Sequence, residues 1–275
     1  MKIGLIGCGR VGLTFAYFLR KKDILYGVFD KNKNALKRAV QILQIKRNPE
    51  YVDLVKNSNV LLFATPDDEL INAYNKAERY ITETKHLFHF SGVLPAEIFP
   101  KKRKIYRASL HPFASFPKVV IPPRRNRYIL FVQGDKESIK VAHAIFPGKN
   151  FKMRKIDERQ KPLYHLLGVF SSNFVVSLSE AIHVILKKLG WKETEFEKVI
   201  LPMIFDSLNN VKKYGVKMGL TGPLIRGDLK TIEKHLETLR KDRELSYIYR
   251  ALSYSIIKYA PAKTQKSLKK ILNIN

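Results

Sequence analysis

The sequence predicts an α/β domain over residues 1–156, followed by an all-α domain over residues 157–275. In the first part, short apolar runs alternate with helical patterns, which is typical of a mostly parallel sheet whose two faces are covered. Beyond residue 156 only helical periodicity remains. A chain of 275 residues is long enough for two domains, each with its own core.

The predicted strands of the first domain are short apolar runs that end at polar or turn residues. They lie at 2–6, 25–30, 41–45, 59–64, 87–90, 105–109 and 128–133. Helices are predicted at 10–21, at 34–40 and after Pro66. In the second domain the predicted helices lie at 162–188, 193–214, 229–239, 244–259 and 264–272.

The net charge is extreme, because 51 Lys and Arg stand against 24 Asp and Glu and give +27 at pH 7. Such a charge is typical of proteins that bind nucleic acid or an anionic membrane. Here the basic residues are scattered and no recognition motif accompanies them, which favours a solvated basic surface. Two local clusters, residues 101–104 and the group Arg124, Arg125 and Arg127, could flank a site for an anionic substrate.

The cysteine content and the apolar runs bear on the cellular compartment. Cys8 is the one cysteine, so no internal disulfide can form and a reducing compartment is expected. No apolar run approaches the ~20 residues that span a bilayer. The start of the chain predicts a strand and a turn, since glycines interrupt it, and not a signal peptide. We therefore expect a cytoplasmic protein without a membrane partner.

A glycine motif, Gly7-Cys8-Gly9-Arg10-Val11-Gly12, directly follows the first predicted strand and opens the first predicted helix. In this context G-x-G-x-x-G is typical of a dinucleotide-binding Rossmann domain. Gly7 permits a tight turn, Gly9 lets the backbone approach a pyrophosphate, and Gly12 lets the helix pack closely on the strand. The free N–H groups of the helix start then face the anion. The alternative is a glycine turn that binds nothing.

The residues after the second predicted strand bear on the choice between NAD and NADP. Asp30 lies at the expected distance of about 20 positions from the motif. Its carboxylate would bind the ribose 2′-hydroxyl, which favours NAD. Lys31 and Lys33 could instead neutralise a 2′-phosphate. Both cofactors stay open, with NADP slightly preferred.

Polar residues follow two predicted strands, at the edge where open α/β sheets bind ligands. Thr65 and Pro66 follow the fourth strand, and Thr65 can also cap the next helix. His111 follows the sixth, where a histidine can donate a proton near pH 7, although a loop histidine can equally cap or pack. His86 and His89 lie three apart on a strand and so point to opposite faces, which argues against a metal site.

One face of the first helix of the second domain carries Lys161, His165, Gly168 and Ser172, at helical spacing. Asn173 lies beside Ser172. Glycine, serine and asparagine are poor helix formers, and a plain solvent-exposed face would carry Lys, Glu or Arg. The pattern predicts close packing on this face, either by a ligand or by the other domain.

Together these motifs resemble proteins in which a Rossmann-like domain precedes the domain of unknown function 2520. That family is similar to the pyrroline-5-carboxylate reductases, ketopantoate reductases and β-hydroxyacid dehydrogenases. The resemblance covers essentially the whole chain. Its marks are Gly7–Gly12, Ala64-Thr65-Pro66-Asp67-Asp68, His89-Phe90-Ser91-Gly92, Ser109-Leu110-His111-Pro112, Tyr164-His165, Ser172-Asn173, Leu220-Thr221-Gly222-Pro223 and Arg226-Gly227-Asp228.

The resemblance implies an NAD(P) cleft between the two domains, lined by Ser91, His111, His165 and Asn173. We assign Ala64, Thr65, Pro66, Ser91 and Gly92 to the cofactor site, beside the glycine motif. Ketopantoate reductases carry a lysine and an asparagine on the first helix of the second domain. Here His165 and Asn173 look like the occupants of comparable places, and either the lysine is absent or Lys161 substitutes from one turn earlier. A homodimer through the helical domain is also implied.

The resulting hypothesis is an NAD(P)-dependent oxidoreductase that reduces a C=O or C=N group of a small anionic substrate. A ketopantoate-like 2-oxo acid is the specific guess. His165 or His111 would supply the proton, and Asn173 would orient the substrate. Two alternatives are a non-catalytic NAD(P)-binding module that senses redox state, and a nucleic-acid binder driven by charge.

Overall fold

The computed structural model describes residues 1–119 and 127–273, so Arg124 and Arg125 lie outside the described residues. The chain forms two compact units, Met1–Asn173 and Phe174–Asn275. The sequence suggests a division after residue 156, where the strands end, whereas the structure divides the chain after Asn173.

The first unit is built around a seven-stranded sheet in the order β2-β1-β3-β4-β5-β6-β7. The strands are β1 (Ile3–Ile6), β2 (Leu25–Phe29), β3 (Val60–Phe63), β4 (Lys85–His89), β5 (Ile105–Pro112), β6 (Tyr128–Gly134) and β7 (Phe151–Lys155). Neighbouring strands are parallel except β5 and β6, which run antiparallel. The carboxyl ends of β1 to β5 therefore lie at one edge of the sheet, where β6 begins.

Helices cover both faces of this sheet. They are α1 (Arg10–Lys21), α2 (Lys33–Ile42), α3 (Tyr51–Asn57), α4 (Leu70–Glu78), α5 (Lys136–Ile145) and α6 (Lys161–Gly168). Alternate residues of the buried strands belong to different apolar cores: Leu62 lies in the core that includes Phe15 of α1, and Leu61 lies in the core that includes Tyr74 of α4. The predicted Rossmann-like α/β class is confirmed.

The structure corrects one predicted strand and adds another. Residues 41–45 form no strand, because α2 occupies the start of this run and Gln44 follows with a φ of +51°. Ala39 and Leu43 are both buried four residues apart, so the apolar pattern is helical. The seventh strand is instead β7, in which Phe151 is buried and basic residues alternate on the exposed side.

The second unit is helical, as predicted. Its helices are α7 (Phe174–Lys188), α8 (Leu201–Gly219), α9 (Pro223–Arg226), α10 (Leu229–Thr238), α11 (Arg243–Ile256) and α12 (Ala262–Leu272). A small apolar core includes Leu224, Ile232 and Leu268. None of the residues of α8 is buried, and Gly215, with a φ of +77°, interrupts this helix.

The stretch Glu158–Lys188 is helical throughout and includes a π-helical segment, Val169–Asn173. By length and composition alone this stretch could cross a membrane, a possibility that the apolar runs of the sequence did not indicate. A single helix of this kind is weak evidence for a membrane span, and none is assigned here.

Candidate active site

The three glycines of the motif differ in what surrounds them. Gly7 has a φ of +99°, and a Cβ there would lie 2.6 Å from the carbonyl group of Ala64. A Cβ on Gly12 would lie 2.3 Å from the Gly7 carbonyl oxygen. A Cβ on Gly9 would have no atom within 4 Å. The fold itself therefore requires glycine at positions 7 and 12, whereas the open side of Gly9 leaves room for a ligand.

Asp30 follows β2 and binds the glycine turn. Its Oδ2 accepts the backbone N–H of Cys8 at 2.8 Å, and its Oδ1 accepts that of Asn32 at 2.8 Å. The Cys8 side chain is buried, and burial raises the pKa of its thiol to about 12. Cys8 is thus a packing residue whose N–H is already bound to Asp30.

The next two residues of the motif begin α1. Arg10 is exposed, and its guanidinium donates to the carbonyl of Phe116 at 3.4 Å. Val11 packs against the apolar core. Neither side chain is fully buried.

A cavity of about 350 Å³ lies beside the turn, at the carboxyl ends of β1, β2 and β3. Its walls include Gly7, Gly9, Asp30, Lys31, Ala64, Thr65 and Pro66, all predicted to contact a cofactor. Lys31 forms an ion pair with Glu69 at 2.8 Å. Lys76, which the sequence did not single out, lies over the rings of Phe29 and Tyr51 at 4.8 and 4.6 Å.

Two polar atoms of this cavity are buried without a hydrogen-bond partner among the described residues: Thr65 Oγ1 and Tyr51 Oη. Folded proteins rarely bury such groups unpaired. An open glycine and an unpaired hydroxyl on the same cavity fit a ligand that brings anionic and hydroxyl oxygens. A dinucleotide has both, so the residues present are compatible with NAD or NADP.

A second group of polar side chains centres on Ser91, in the loop after β4. Its Oγ donates to Asp67 Oδ2 at 2.8 Å and accepts the N–H of Leu94 at 2.9 Å. Its carbonyl oxygen accepts from Lys161 Nζ at 3.2 Å and from Ser109 Oγ at 3.2 Å. Ser91 therefore links the loops after β3 and β4 to β5 and α6.

Lys161 is the main residue that the predicted catalytic set lacked. Its side chain is only 1% exposed, and its Nζ donates to Ser109 Oγ at 2.7 Å. Burial lowers the pKa of Lys161 to about 8, against the opposing effect of the Asp67 and Glu97 carboxylates. The sequence feature that could have identified Lys161 as a site residue is its position one turn before His165 on the same helix face.

The two predicted catalytic histidines lie together beside Gly92. The rings of His111 and His165 have centroids 6.1 Å apart and meet edge to face. A Cβ on Gly92 would lie 2.4 Å from His165 Cδ2 and 2.9 Å from His111 Nε2. The glycine therefore allows both rings to converge at this place.

His111 does not lie in a loop after the sixth strand, as the sequence predicted. It belongs to β5, where Nδ1 lies 2.6 Å from the hydroxyl of Tyr164. Burial, together with the positive charges of Lys161 and His165, lowers the pKa of His111 to about 4. The imidazole is neutral at physiological pH.

His86 and His89 have separate roles in packing. His86 Nδ1 lies 3.0 Å from Ser138 Oγ. His89 is fully buried, with Nε2 3.1 Å from the carbonyl of Pro95 and Nδ1 accepting the N–H of Ser91 at 3.2 Å. His89 therefore holds the loop that carries Ser91.

The remaining predicted residues lie at different places in the first unit. Asn173 is exposed at the end of the π-helical segment and makes none of the hydrogen bonds that join the cluster. Residues 101–104 precede β5 and so lie at the opposite edge of the sheet from His111. Arg127 directly precedes β6 and lies at the same edge as His111.

Comparisons with known proteins agree with this architecture. Residues 128–256 match the family description of the domain of unknown function 2520. No curated protein matches the chain by sequence.

Solved structures match almost the whole chain. A candidate NADP oxidoreductase from Bacteroides fragilis is 22% identical, with a TM-score of 0.76 over 94% of this chain and 98% of that one. A Thermotoga maritima protein is 23% identical, with a TM-score of 0.65 over 96% and 98%. The Plasmodium falciparum pyrroline carboxylate reductase, solved with NADP bound, is 17% identical, with a TM-score of 0.58 over 99% and 98%.

At these identities the likeness establishes the fold. The family match begins at β6 of the first unit and ends with α11 of the second. The chain therefore has a Rossmann-like fold, and its residues 128–256 match the domain of unknown function 2520.

Proposed function

We propose that this chain is an NAD(P)-dependent oxidoreductase that reduces a C=O or C=N group of a small molecule. The observation that carries the proposal is the cavity beside the glycine turn, where Gly9 opens onto free space and Thr65 Oγ1 is buried without a partner among the described residues. Gly9 would face the pyrophosphate and Thr65 would supply a hydroxyl to the cofactor. Asp30 and Lys31 lie on the wall of the same cavity and would meet the adenosine ribose.

When bound, the reduced dinucleotide supplies a hydride to the carbon of the substrate. The oxygen or nitrogen then needs a proton, for which we propose His165. Neutral His111 carries no additional proton, and Lys161 is buried with its Nζ bound to Ser109 and Ser91. His165 is half-buried, and its ring nitrogens have no hydrogen-bond partner in the described parts of the chain. It would regain its proton from solvent after each turnover.

A small 2-oxo acid of the ketopantoate type is the first substrate to test. Arg127 is an exposed cation at the sheet edge that carries His111, and a carboxylate on the substrate would be attracted to it. The cluster at 101–104 cannot contribute, because it lies at the other edge of the sheet.

The test is oxidation of NADPH and NADH in the presence of a panel of 2-oxo acids and cyclic imines. We expect turnover with at least one of them. His165→Ala should lower kcat by roughly 10²–10⁴-fold with cofactor affinity unchanged. His143→Ala, an exposed histidine on α5, is the matched control and should leave kcat unchanged.

Two results would contradict the proposal. Tight cofactor binding without oxidation across the panel would favour a redox-sensing module. Nucleic-acid binding that falls steeply with salt and survives Gly9→Asp would favour a charge-driven binder.

We also propose that the protein forms a homodimer, in which two copies of the chain bind each other through α7 and α8. On these helices Val176, Met203 and Met218 are 69%, 70% and 73% exposed. None of the 19 residues of α8 is buried, and apolar surface of this extent is typical of an interface. A helix without a buried face gains little from packing, so α8 needs a partner to stabilise it.

Light scattering tests this assembly. We expect a molar mass of about twice 31.8 kDa for the wild type. Met203→Asp combined with Phe205→Asp should give monomers, whereas Val52→Asp, on α3 of the first unit, should not. A monomeric wild-type protein would contradict the proposal.

A further inference from the structure

We infer that Tyr164 is a positioning residue that fixes the tautomer of His111. Its hydroxyl donates to Nδ1, so the imidazole carries its hydrogen on Nε2 and presents a neutral N–H donor on the side of Gly92. The catalytic use of that donor, to polarise the C=O or C=N group of the substrate, rests on the proposed function. The tautomer itself does not.

Hydrogen-bond accounting determines the direction of this contact. Tyr164 is 7% exposed, and its Oη lies 2.6 Å from His111 Nδ1. Within residues 1–119 and 127–273 the hydroxyl has no other hydrogen-bond partner. If Nδ1 carried the hydrogen and donated it to Oη, the hydroxyl hydrogen would be buried without an acceptor, which folded proteins avoid. Only donation from Tyr164 satisfies both groups.

The charged groups around His111 keep its imidazole neutral, and burial keeps the Tyr164 hydroxyl protonated. Lys161 and His165 of α6 and His89 of β4 are the titratable groups that act on the His111 ring, besides Tyr164. All three are bases, and a second proton on His111 would be repelled by a positive charge on Lys161. Burial raises the pKa of the Tyr164 hydroxyl well above its usual value, so this group remains a donor.

Packing holds the Tyr164 ring in place. Its centroid lies 4.3 Å from that of Phe131 and 5.6 Å from that of Phe113. These contacts hold the ring, which extends from α6, against Phe131 and Phe113, so the hydroxyl has one position relative to His111. The tautomer is thus set by the fold of the first unit alone.

The free nitrogen faces the place where His165 and Gly92 converge. His111 Nε2 would lie 2.9 Å from a Cβ on Gly92, and it has no partner among the described residues. A neutral imidazole N–H can stabilise charge that develops on an oxygen or nitrogen without giving up its proton. In this arrangement His111 polarises the C=O or C=N group of the substrate, and a different group donates the proton.

Nitrogen-15 NMR of the histidine rings tests the inference without reference to activity. Between pH 6 and 9 we expect His111 to show a hydrogen-bearing Nε2 and a bare Nδ1. The signals of the two ring nitrogens are assigned to His111 because they disappear in His111→Gln. Tyr164→Phe removes the donor and should give a mixture of both tautomers. His89 is the internal control, because its Nε2 faces the Pro95 carbonyl and should keep its hydrogen in both proteins.

A hydrogen on Nδ1 in the wild type, or an unchanged tautomer in Tyr164→Phe, would overturn the inference. If the enzyme turns over, Tyr164→Phe should lower kcat by about tenfold with the Kd for NADPH unchanged. An unchanged kcat would refute the catalytic use of the donor. Absence of turnover in the wild type would refute the proposed function, while the NMR result would still decide the tautomer.

Discussion

The carboxylate of Asp30 accepts the backbone N–H of Cys8 at 2.8 Å, across 22 residues of sequence. The acid at the end of β2 is therefore part of the structure of the glycine turn, in addition to lying on the cavity wall. This contact changes what its substitution should do. If Asp30 only contacted the ribose, its substitution would weaken the binding of one cofactor. Because Asp30 also holds the glycine turn, its substitution should weaken the binding of both.

We predict that Asp30→Ala weakens the binding of NADH and NADPH alike. It should also lower the free energy of unfolding by about 1–3 kcal/mol, because the buried N–H of Cys8 loses its acceptor. Asp30→Asn keeps an acceptor oxygen and is the matched control for stability. Calorimetric titration with both cofactors, alongside urea unfolding, provides the measurement. Loss of NADH binding alone, with full stability, would mean that Asp30 acts only on the ribose.

Thr65→Val should separate binding from stability. The hydroxyl of Thr65 has no partner among the described residues, so its removal should leave the free energy of unfolding unchanged or raise it by up to ~1 kcal/mol. Affinity for NADPH should fall by about five- to tenfold. Thr14→Val is the control, because Thr14 Oγ1 donates to the Arg10 carbonyl at 2.9 Å and its loss should cost stability. Unchanged NADPH affinity in Thr65→Val would mean that the cofactor does not use this hydroxyl.

The ion pair between Lys31 and Glu69 bears on the preference for NADP. Both side chains are exposed, at 73% and 38%, so Lys31 is free to turn from Glu69 to a 2′-phosphate. Lys31→Met should weaken NADPH by about tenfold, as expected for one charge-assisted hydrogen bond, and leave NADH nearly unchanged. Lys33→Met, outside the cavity lining, is the control. Equal losses for the two cofactors would exclude a phosphate contact by Lys31.

Acid should destabilise the first unit through His89. Burial lowers the pKa of this residue to about 3 in the folded state, from about 6.5 in an unfolded chain. Between these values the unfolded state binds a proton that the folded state does not, so stability falls as the pH falls. The slope approaches ~1.4 kcal/mol per pH unit for one group. Urea unfolding from pH 7 to pH 4 should show a shallower loss in His89→Gln, and an identical slope would contradict this account.

The glycine turn and the order of strands and helices were predictable because they depend on local sequence. The motif follows a strand and opens a helix, and Asp30 lies at the expected spacing. The strand predicted at residues 41–45 was wrong because a short apolar run is equally compatible with a strand and with a helix. β7 was missed because only Phe151 and Met153 carry its apolar side.

The chemical state of the site was not predictable, because it depends on contacts between distant residues. His111 and Tyr164 are 53 residues apart in sequence, and Lys161 and Ser109 are 52 apart. Burial by these neighbours, which no local pattern encodes, moves the pKa of His111 to about 4. The sequence indicated which residues gather at the sheet edge, and the fold determines which of them carry a proton.

Binding of NADPH to Gly9→Asp, measured by calorimetry beside Gly148→Asp, tests the central claim most directly. A Cβ at either position would have no atom within 4 Å, so both variants should unfold with the same free energy as the wild type. A carboxylate at position 9 would occupy the place of the pyrophosphate and repel it. We predict at least a tenfold loss of affinity, about 1.4 kcal/mol, in Gly9→Asp and none in Gly148→Asp. Equal NADPH affinity in the two variants would contradict a dinucleotide site at this turn.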